Sequence, residues 1–402
     1  MHNLDFDAPL LETIFQRRTK RFPAGGELRS RRGRLAFSSE QTPYGLSEEE
    51  TALLCFAATG TTGATIEEIR HLMGHLTVTG RPVGSPCASV PLQLLFTDDT
   101  GVYYYRSAPF ENVIPARRVR MESREDRHLI LDDFRQHTIK LSEGRLDIPR
   151  SAIGAAFESL VNLPGTTLFF PISDTTQEYI NLLMTGLAQF KWQLWDEVRD
   201  CPAGVGSWIK DGTLDGPRMT IYQYDQMLPW LCNLEAGMAF QNSSLVATAL
   251  GLGAFLMHTI DLPTVMRCVN MRFEPVDSAA FPQAAENPVG IDGLLEGYCP
   301  PYMTVDEAVD AIAQRKWGDT GIYGKDGYDL VRPTFYDEIV EMTRSFCNYV
   351  FSTYGRLPKY TDAMFIPALF QVHHLETPFY EKHFPEYVTP QERDHKMNWH
   401  AT

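Results

Sequence analysis

A cluster of basic residues near the amino end is the clearest candidate for chemistry in this sequence. The chain carries a net charge of −15, so a dense group of positive side chains needs a specific reason. Arginine forks bind phosphate oxygens in pairs, which makes an anionic ligand one explanation. An exposed basic turn is the other, because runs of charge are usually solvated. The members are Arg17, Arg18, Lys20, Arg21, Arg29, Arg31, Arg32 and Arg34.

Histidines and cysteines are the next residues with ligand chemistry, and neither set predicts a metal site. His373 and His374 stand near Glu376 and His383, but adjacent histidines point to different sides of a helix or strand, and no i, i+4 pair is present. The 7 cysteines include no CxxC pair, which argues against a zinc ribbon or a redox dithiol. We therefore predict that the chain holds no metal ion. Scattered single cysteines of this kind are typical of proteins in a reducing cytosol.

Other reaction classes lack their motifs. The chain has no Gly-x-Ser-x-Gly elbow and no P-loop, and the segment 251–253 lacks the third glycine of a dinucleotide fingerprint. The acidic net charge argues against general nucleic-acid binding. No uncharged stretch reaches the roughly 18–20 residues of a membrane span, and no secretory signal is present. We expect a cytoplasmic protein with neither nucleic-acid nor membrane partners.

The elements that would position these residues are helices and strands that do not alternate regularly, which predicts an α+β fold. Ser47 and Glu50 have the spacing of a capping box at the start of one helix. Strand pairing is expected in the polar interval 110–150, including near Ile139. Helices are predicted over 8–18, 46–58, 65–76, 152–163, 175–198 with a break near Trp192, 230–257, 304–316 and 334–353, and strands over 92–96, 101–105 and 166–172.

The segment Arg17-Arg18-Thr19-Lys20-Arg21-Phe22 is the first of three that carry a family resemblance. It is similar to the Arg-Arg-Ser-x-Arg-x-Phe motif of the nitroreductase family of FMN enzymes. The three segments together resemble most closely the branch that includes azoline-forming-cluster dehydrogenases. The resemblance implies that Arg17 and Thr19 hold the FMN phosphate or ribityl chain, with Arg18 nearby. It also implies that Arg21 lies by the pyrimidine edge of the flavin ring.

The second segment runs from Arg81 to Leu94 and continues into residues 101–105. It resembles the family's Arg-Thr-x-Pro-Ser-Ala-Gly loop, followed by a Pro-Leu-x-Leu strand and Gly-x-Tyr-x-Tyr. In the family this loop lies over a flavin, often the one bound mainly by the partner subunit. The resemblance implies that Ser85, Cys87 and Ser89 face the cofactor. The plainer interpretation is a polar loop that leads into a hairpin.

The third segment covers 235–242 and 249–253 and resembles the family's core helix with Gly-x-Ala-x-Gln-Asn and Ala-x-x-Leu-Gly-Leu-Gly. The resemblance implies that the following backbone lies beside the flavin ring, where an N–H would bond flavin N5. His258 is a candidate proton donor, because imidazole titrates near neutral pH, although a structural histidine is the plainer interpretation. The implied cofactor contacts are Gly253, Leu256, Met257 and Thr259, with Gly290 from a closing Pro-Val-Gly.

The resemblance also implies an overall organisation. The fold would be a central, mostly antiparallel sheet surrounded by helices, with a long C-terminal helical extension. Residues 1–295 would form the FMN-binding domain, with 110–225 as a variable insertion region. Residues 296–402 would form the extension, as a lid or a dimer arm. The chain would act as a homodimer, or as a pseudo-dimer within the chain.

The function implied by the resemblance is an FMN-dependent oxidoreductase that transfers hydride through flavin N5 to or from a small organic substrate. NADPH or NADH stays open as the electron donor, and the run from Arg29 to Arg34 is better explained as an exposed loop than as a site for the NADPH 2′-phosphate. The alternatives are a non-catalytic protein that sequesters FMN, a tailoring dehydrogenase that ignores NAD(P)H, and an α+β module without cofactor. The sequence does not name the substrate or the direction of the reaction.

Overall fold

The computed structural model describes residues 10–28, 35–64, 79–86, 89–106, 124–155, 157–258, 260–276, 286–318, 333 and 335–400. The predicted helix over 65–76, the run 29–34, Cys87 and Thr259 lie outside these residues. The described helices are α1 (Leu10–Gln16), α2 (Glu48–Thr59), α3 (Arg124–His137), α4 (Thr175–Phe190), α5 (Gly206–Lys210), α6 (Ile221–Leu250), α7 (Leu262–Cys268), α8 (Val305–Trp317), α9 (Tyr336–Tyr354), α10 (Thr377–His383) and α11 (Pro390–Trp399).

The described strands form one large sheet and several small ones. They are β1 (Glu27–Leu28), β2 (Phe37–Ser38), β3 (Gly63–Ala64), β4 (Thr79–Gly80), β5 (Leu92–Thr97), β6 (Gly101–Tyr105), β7 (Thr138–Glu143), β8 (Thr166–Asp174), β9 (Gln193–Asp196), β10 (Cys201–Pro202), β11 (Arg218–Thr220), β12 (Gly253–Met257), β13 (Arg272–Pro275), β14 (Glu286–Ile291), β15 (Leu295–Glu296), β16 (Met364–Phe365) and β17 (Leu369–His373).

A seven-stranded antiparallel sheet forms the centre of the described fold. Its order is β12-β17-β8-β5-β6-β7, and β16 also pairs with β8. The β5–β6 hairpin turns at Asp98, whose carboxylate accepts hydrogen bonds from the N–H groups of Thr100 and Gly101 at 2.7 and 3.1 Å. The predicted α+β class with a mostly antiparallel sheet is confirmed.

Helices cover both faces of this sheet. On one face, Leu54 of α2 and Phe240 of α6 pack in a buried cluster with Phe370 of β17. On the other face, Met266 of α7 shares a cluster with Phe255 of β12. A third cluster joins α4, α8, α9 and the first half of α6. Helix α6 therefore spans two cores, and it leads directly into β12.

Strand β17 changes the expected division of the chain at residue 295. It lies between β12 and β8, with Phe370 opposite Leu256 on one side and Phe169 on the other. Residues 369–373 therefore complete the sheet of the predicted FMN domain and do not belong to a separate extension. Local patterns could not reveal this, because both partner strands lie more than a hundred residues away in the sequence.

Helix α6 is displaced from its predicted bounds for reasons that can be seen at its ends. It begins at Ile221 because Thr220 forms a capping box with Gln223. It ends at Leu250 because Gly251 takes the left-handed conformation, with φ of 81°. The prediction of helix beyond this point is wrong, since residues 253–257 form β12.

Other local predictions have mixed outcomes. The capping box of Ser47 and Glu50 is present, and the predicted hairpin, β8, α8 and α9 are confirmed. Helix α4 ends at Phe190, near the expected break, and β9 follows where helix was predicted. The predicted helix over 152–163 is wrong, because the described residues of this range form the end of a short 3-10 helix, a β-bridge, turns and bends. Helix α3 was not predicted.

Among the described helices, none combines the length and the apolar character that crossing a membrane requires.

Candidate functional site

The end of β12 opens into a cavity of about 590 Å³ that His258 lines. Asn233 of α6 and Met266 of α7 form two of its walls, and Phe273 and Phe365 add aromatic surface. The size lies within the roughly 300–1,000 Å³ of small-molecule and cofactor sites. The cavity therefore combines apolar walls with several polar and charged side chains, which are Asn233, His258, Arg267, Glu286 and Asp362.

Strand β12 is an edge strand of the central sheet within the described residues. After Met257, the described backbone forms one further β-type pairing, which is the isolated bridge between Ile260 and Ile153. Leu256 is 50% exposed, whereas Met257 is buried in the core. An antiparallel edge strand directs alternate N–H and C=O groups away from its one neighbour. The strand can therefore offer backbone donors to a ligand.

The predicted basic segment follows α1 directly. Arg18 donates hydrogen bonds to the carbonyl oxygens of Phe15 and Arg17, at 2.7 and 2.9 Å, and Thr19 and Arg21 are exposed. Among the described residues, no carboxylate forms an ion pair with any of the three arginines of this segment. These cations therefore retain their capacity to bind an anion.

Lys20 behaves differently from its basic neighbours. It is buried, and its Nζ atom contacts both carboxylate oxygens of Glu392 at 2.5 Å and the carbonyl oxygen of Tyr387 at 2.6 Å. Its three donors are thus all used inside the protein. Lys20 fixes the basic segment to the C-terminal helix α11, and it leaves the flanking arginines outside.

Arg21 connects the basic segment with β12. Its guanidinium lies 5.7 Å from the ring centre of Phe157. The Phe157 ring stacks on Phe255 of β12, with ring centres 6.2 Å apart. The fold therefore brings the first predicted segment close to the strand that follows the third segment, through the ring of Phe157.

The predicted loop with Ser85 and Ser89 packs elsewhere, against the middle of α6. The side chain of Asn242 donates to the carbonyl oxygen of Pro82 at 3.0 Å. The Ser89 N–H donates to Ser85 Oγ at 3.2 Å, and Ser89 Oγ donates to the carboxylate of Glu178. Neither serine is among the residues that line the cavity beside His258.

A buried acid pair lies beneath this loop and was not predicted from the sequence. Burial raises the pKa of Glu235 to about 8, and the charge of Glu178 adds to the shift, while a hydrogen bond with Ser85 opposes it. Glu235 therefore keeps its proton at neutral pH. The available signal was an acid in the mostly apolar second half of α6, because a carboxyl group is rarely buried unless it is paired.

The two predicted glycine contacts are explained by close packing. A Cβ atom on Gly253 would lie 2.5 Å from Leu375 Cδ2 and 2.6 Å from His373 Nε2. Gly290 has φ of 153°, and a Cβ atom there would lie 2.4 Å from the carbonyl oxygen of Leu295. Their role as cofactor contacts stays a prediction.

Comparisons with known proteins give little further information. No protein-family model matches the chain, and no curated protein sequence matches it. A protein from Ralstonia eutropha JMP134 assigned as a nitroreductase is similar in structure, with 12% identity over 66% of this chain and 77% of that chain, and a TM-score of 0.33. The E. coli microcin synthetase McbBCD complex with truncated pro-MccB17 bound gives 15% identity, the same two coverages and a TM-score of 0.27. Scores this low carry no argument about this chain.

Proposed function

We propose that this protein binds FMN between the basic segment and β12, and that it is an FMN-dependent oxidoreductase acting on a small organic substrate. The observation that carries the proposal is the position of Arg21. Arg21, which has no acidic partner among the described residues, lies one aromatic ring away from the edge strand β12. The sequence resemblance implies that the basic segment contacts the phosphate and the pyrimidine edge of FMN. It also implies that the backbone at the end of β12 contacts flavin N5.

The residues present fit the two ends of FMN. A phosphate monoester carries nearly two negative charges at neutral pH. Arg17, Arg18 and Arg21 offer cations without acidic partners among the described residues. The half-exposed side chain of Leu256 offers an apolar surface, which an isoalloxazine ring requires. The cavity beside His258 has room for a substrate next to that surface.

When bound, FMN would supply hydride transfer at N5. The protein's own residues would position the reactants and handle protons. Backbone N–H groups of β12 would orient the ring, and His258 would give or take a proton at a ring nitrogen. Phe365 and Ile366 would keep water from the inner wall of the cavity. Glu235 holds a second proton beneath the Ser85 loop, where the resemblance expects the flavin of a partner subunit.

A homodimer is part of this proposal, because the loop and the cavity lie apart within one chain. Helix α1 packs against α6 and exposes apolar side chains, with Leu11 80% and Phe15 76% accessible. Trp230 of α6 is 64% accessible. A second copy that covers these side chains would remove them from water. Sedimentation of the wild type and of the Leu11→Ser, Phe15→Ser double variant tests this, and a monomeric wild type would exclude the dimer.

The decisive experiment is the visible absorption spectrum of the purified protein, recorded before and after NADPH or NADH is added without oxygen. A flavin spectrum that bleaches supports a reductase. A flavin spectrum that persists supports either a protein that sequesters FMN or a dedicated dehydrogenase. Bleaching by an added organic substrate would then identify the dehydrogenase. A colourless protein that does not bind added FMN would overturn the proposal.

The Arg21→Gln variant tests the location of the site. A charge-assisted hydrogen bond contributes about 1.5–3 kcal/mol, so we expect FMN to bind roughly 10- to 100-fold more weakly. The matched control is Arg393→Gln, since Arg393 is an exposed arginine of α11 that pairs with Glu381. Equal FMN affinity in wild type and Arg21→Gln would show that the flavin ring does not lie beside Arg21.

A further inference from the structure

Four ligand-type side chains from distant parts of the chain meet at one buried point. Glu50 comes from α2, His374 follows β17, His395 lies in α11 and His400 follows that helix. One ligand atom from each lies within 4.8 Å of all the others. Glu50, His374 and His395 are buried, and His400 is 20% exposed. We call these residues the Glu50 cluster.

Two of the three histidine rings are held by backbone carbonyls in an orientation that suits metal binding. His374 Nδ1 lies 2.9 Å from the carbonyl oxygen of Tyr44, and His395 Nδ1 lies 2.6 Å from that of Leu250. A carbonyl oxygen only accepts, so each Nδ1 carries the proton and donates it outward. Each Nε2 then points to the centre of the cluster. Backbone carbonyls orient metal-binding histidines in this way.

The distances between the inner atoms match a tetrahedral ion. Bonds of about 2.0–2.1 Å place neighbouring ligands about 3.3 Å apart. His374 Nε2 and His400 Nε2 are 3.1 Å apart, and Glu50 Oε2 lies 3.2 Å from His400 Nε2. Glu50 Oε1 lies 2.9 Å from His395 Nε2 and 3.5 Å from His374 Nε2. The three spacings among Glu50 Oε1 and the histidine nitrogens lie close to the expected value, and the second carboxylate oxygen, Oε2, also faces the cluster through His400.

Two of these atoms are buried with no partner outside the cluster. Glu50 Oε1 and His395 Nε2 lie 2.9 Å from each other, and neither forms a hydrogen bond to any described residue beyond the cluster. A buried polar atom without a partner destabilises the folded state. An ion between them would satisfy both atoms at once, because each presents a lone pair to it.

We propose that the Glu50 cluster is a structural Zn²⁺ site. Three imidazole nitrogens and one carboxylate oxygen in a closed, four-coordinate arrangement suit Zn²⁺. Ca²⁺ and Mg²⁺ prefer six or more oxygen ligands, which this cluster does not have. The sequence prediction of no metal missed the site, because it considered neighbours of His374 and not residues of α2 and α11.

The ion would fasten α11 to the core of the protein. Its ligands join α2, the end of β17 and α11, and the Leu250 carbonyl that orients His395 ends α6. Helix α11 also carries Glu392, the partner of Lys20 in the basic segment. Loss of the ion should therefore loosen the C-terminal helix first, and the basic segment with it.

The experiment uses the full chain without a polyhistidine tag. Elemental analysis of protein purified without chelators should find about one zinc per chain, as expected for a site that binds as the protein folds. Removal of the metal with a chelator should lower the melting temperature, and added Zn²⁺ should restore it. Co²⁺ added to the stripped protein should give the visible absorption of a tetrahedral site.

Variants locate the site. His395→Ala and His400→Ala should each lose the zinc and the Co²⁺ absorption, whereas His128→Ala, at an exposed histidine of α3, should keep both. His400→Ala keeps the test informative if His395→Ala does not fold, since His400 is partly exposed. Stripped wild type that binds neither ion and melts at an unchanged temperature would overturn the proposal. The proposal would also be overturned if His395→Ala and His400→Ala both retained zinc at the wild-type amount.

Discussion

The buried pair of Lys20 and Glu392 allows a quantitative test of how the basic segment is anchored. The two side chains are 5% and 8% exposed, and the ammonium nitrogen is 2.5 Å from the nearer oxygen. Removing one member of a buried pair leaves the other charge without compensation, at a cost of about 3–5 kcal/mol. We expect Lys20→Met to lower the free energy of unfolding by about this amount.

The double variant Lys20→Met, Glu392→Gln should recover most of the loss. The glutamine amide can still accept the Thr389 N–H that Glu392 now accepts at 2.9 Å, and its NH₂ group can donate to the Tyr387 carbonyl oxygen that Lys20 leaves. No charge is then buried. A double-mutant cycle should give a coupling energy above about 2 kcal/mol, because the two side chains act as one unit.

Urea unfolding followed by tryptophan fluorescence measures these differences, provided the slopes of the transitions agree. The control is Arg393→Gln on the same helix, where the exposed pair with Glu381 should contribute less than about 1 kcal/mol. FMN affinity gives a second readout, since Arg17 and Arg21 flank Lys20. A loss below about 1 kcal/mol in Lys20→Met, or strict additivity in the cycle, would refute the anchoring role.

Three further changes test the site and the fold. Glu235 has a pKa of about 8 against an ordinary 4.5, so the folded protein should lose stability as pH rises from 5 to 8, by up to about 5 kcal/mol. Glu235→Gln should flatten this pH dependence when the free energy of unfolding in urea is measured across that range. The same pH dependence in wild type and variant would contradict the prediction. His258→Asn should retain FMN but reduce substrate turnover about 100-fold in stopped-flow reduction and reoxidation, as expected for a lost proton donor; unchanged rates would assign His258 a structural role. Phe370→Ala should lower the free energy of unfolding by about 3–5 kcal/mol, because Phe370 is buried in the sheet. Phe384→Ala, at a ring that is 40% exposed, should lower it far less. Equal decreases in the melting temperature would show that β17 is peripheral.

Local features of the fold could be predicted because their causes lie within a few residues. The capping box at Ser47 and Glu50 uses groups three positions apart, and the hairpin at Asp98 closes through its own turn. Helices α8 and α9 follow from their apolar periodicity. The errors occur where local patterns are ambiguous. The apolar stretch 253–257 is compatible with a helix or a strand, and its partner β17 decided the outcome.

In the candidate site, too, local sequence predicted some features, whereas distant contacts decided others. The sequence identified the basic segment, but a run of positive charge does not reveal that Lys20 turns inward and its neighbours outward. That difference depends on Glu392, which follows more than three hundred residues later. Likewise, the acid pair of Glu178 and Glu235 exists only because α4 and α6 are packed together.

The sequence by itself determined the α+β class, several of the longer helices, the β5–β6 hairpin with β8, and the presence of an unusual basic segment. Capping residues, turn residues and the period of apolar residues are properties of short stretches, so they can be identified without knowledge of tertiary contacts. Only the tertiary structure decided that β17 completes the sheet, that Arg21 approaches β12 and that the Glu50 cluster assembles from three distant segments. These contacts form when distant apolar surfaces are buried together, and burial depends on the whole chain.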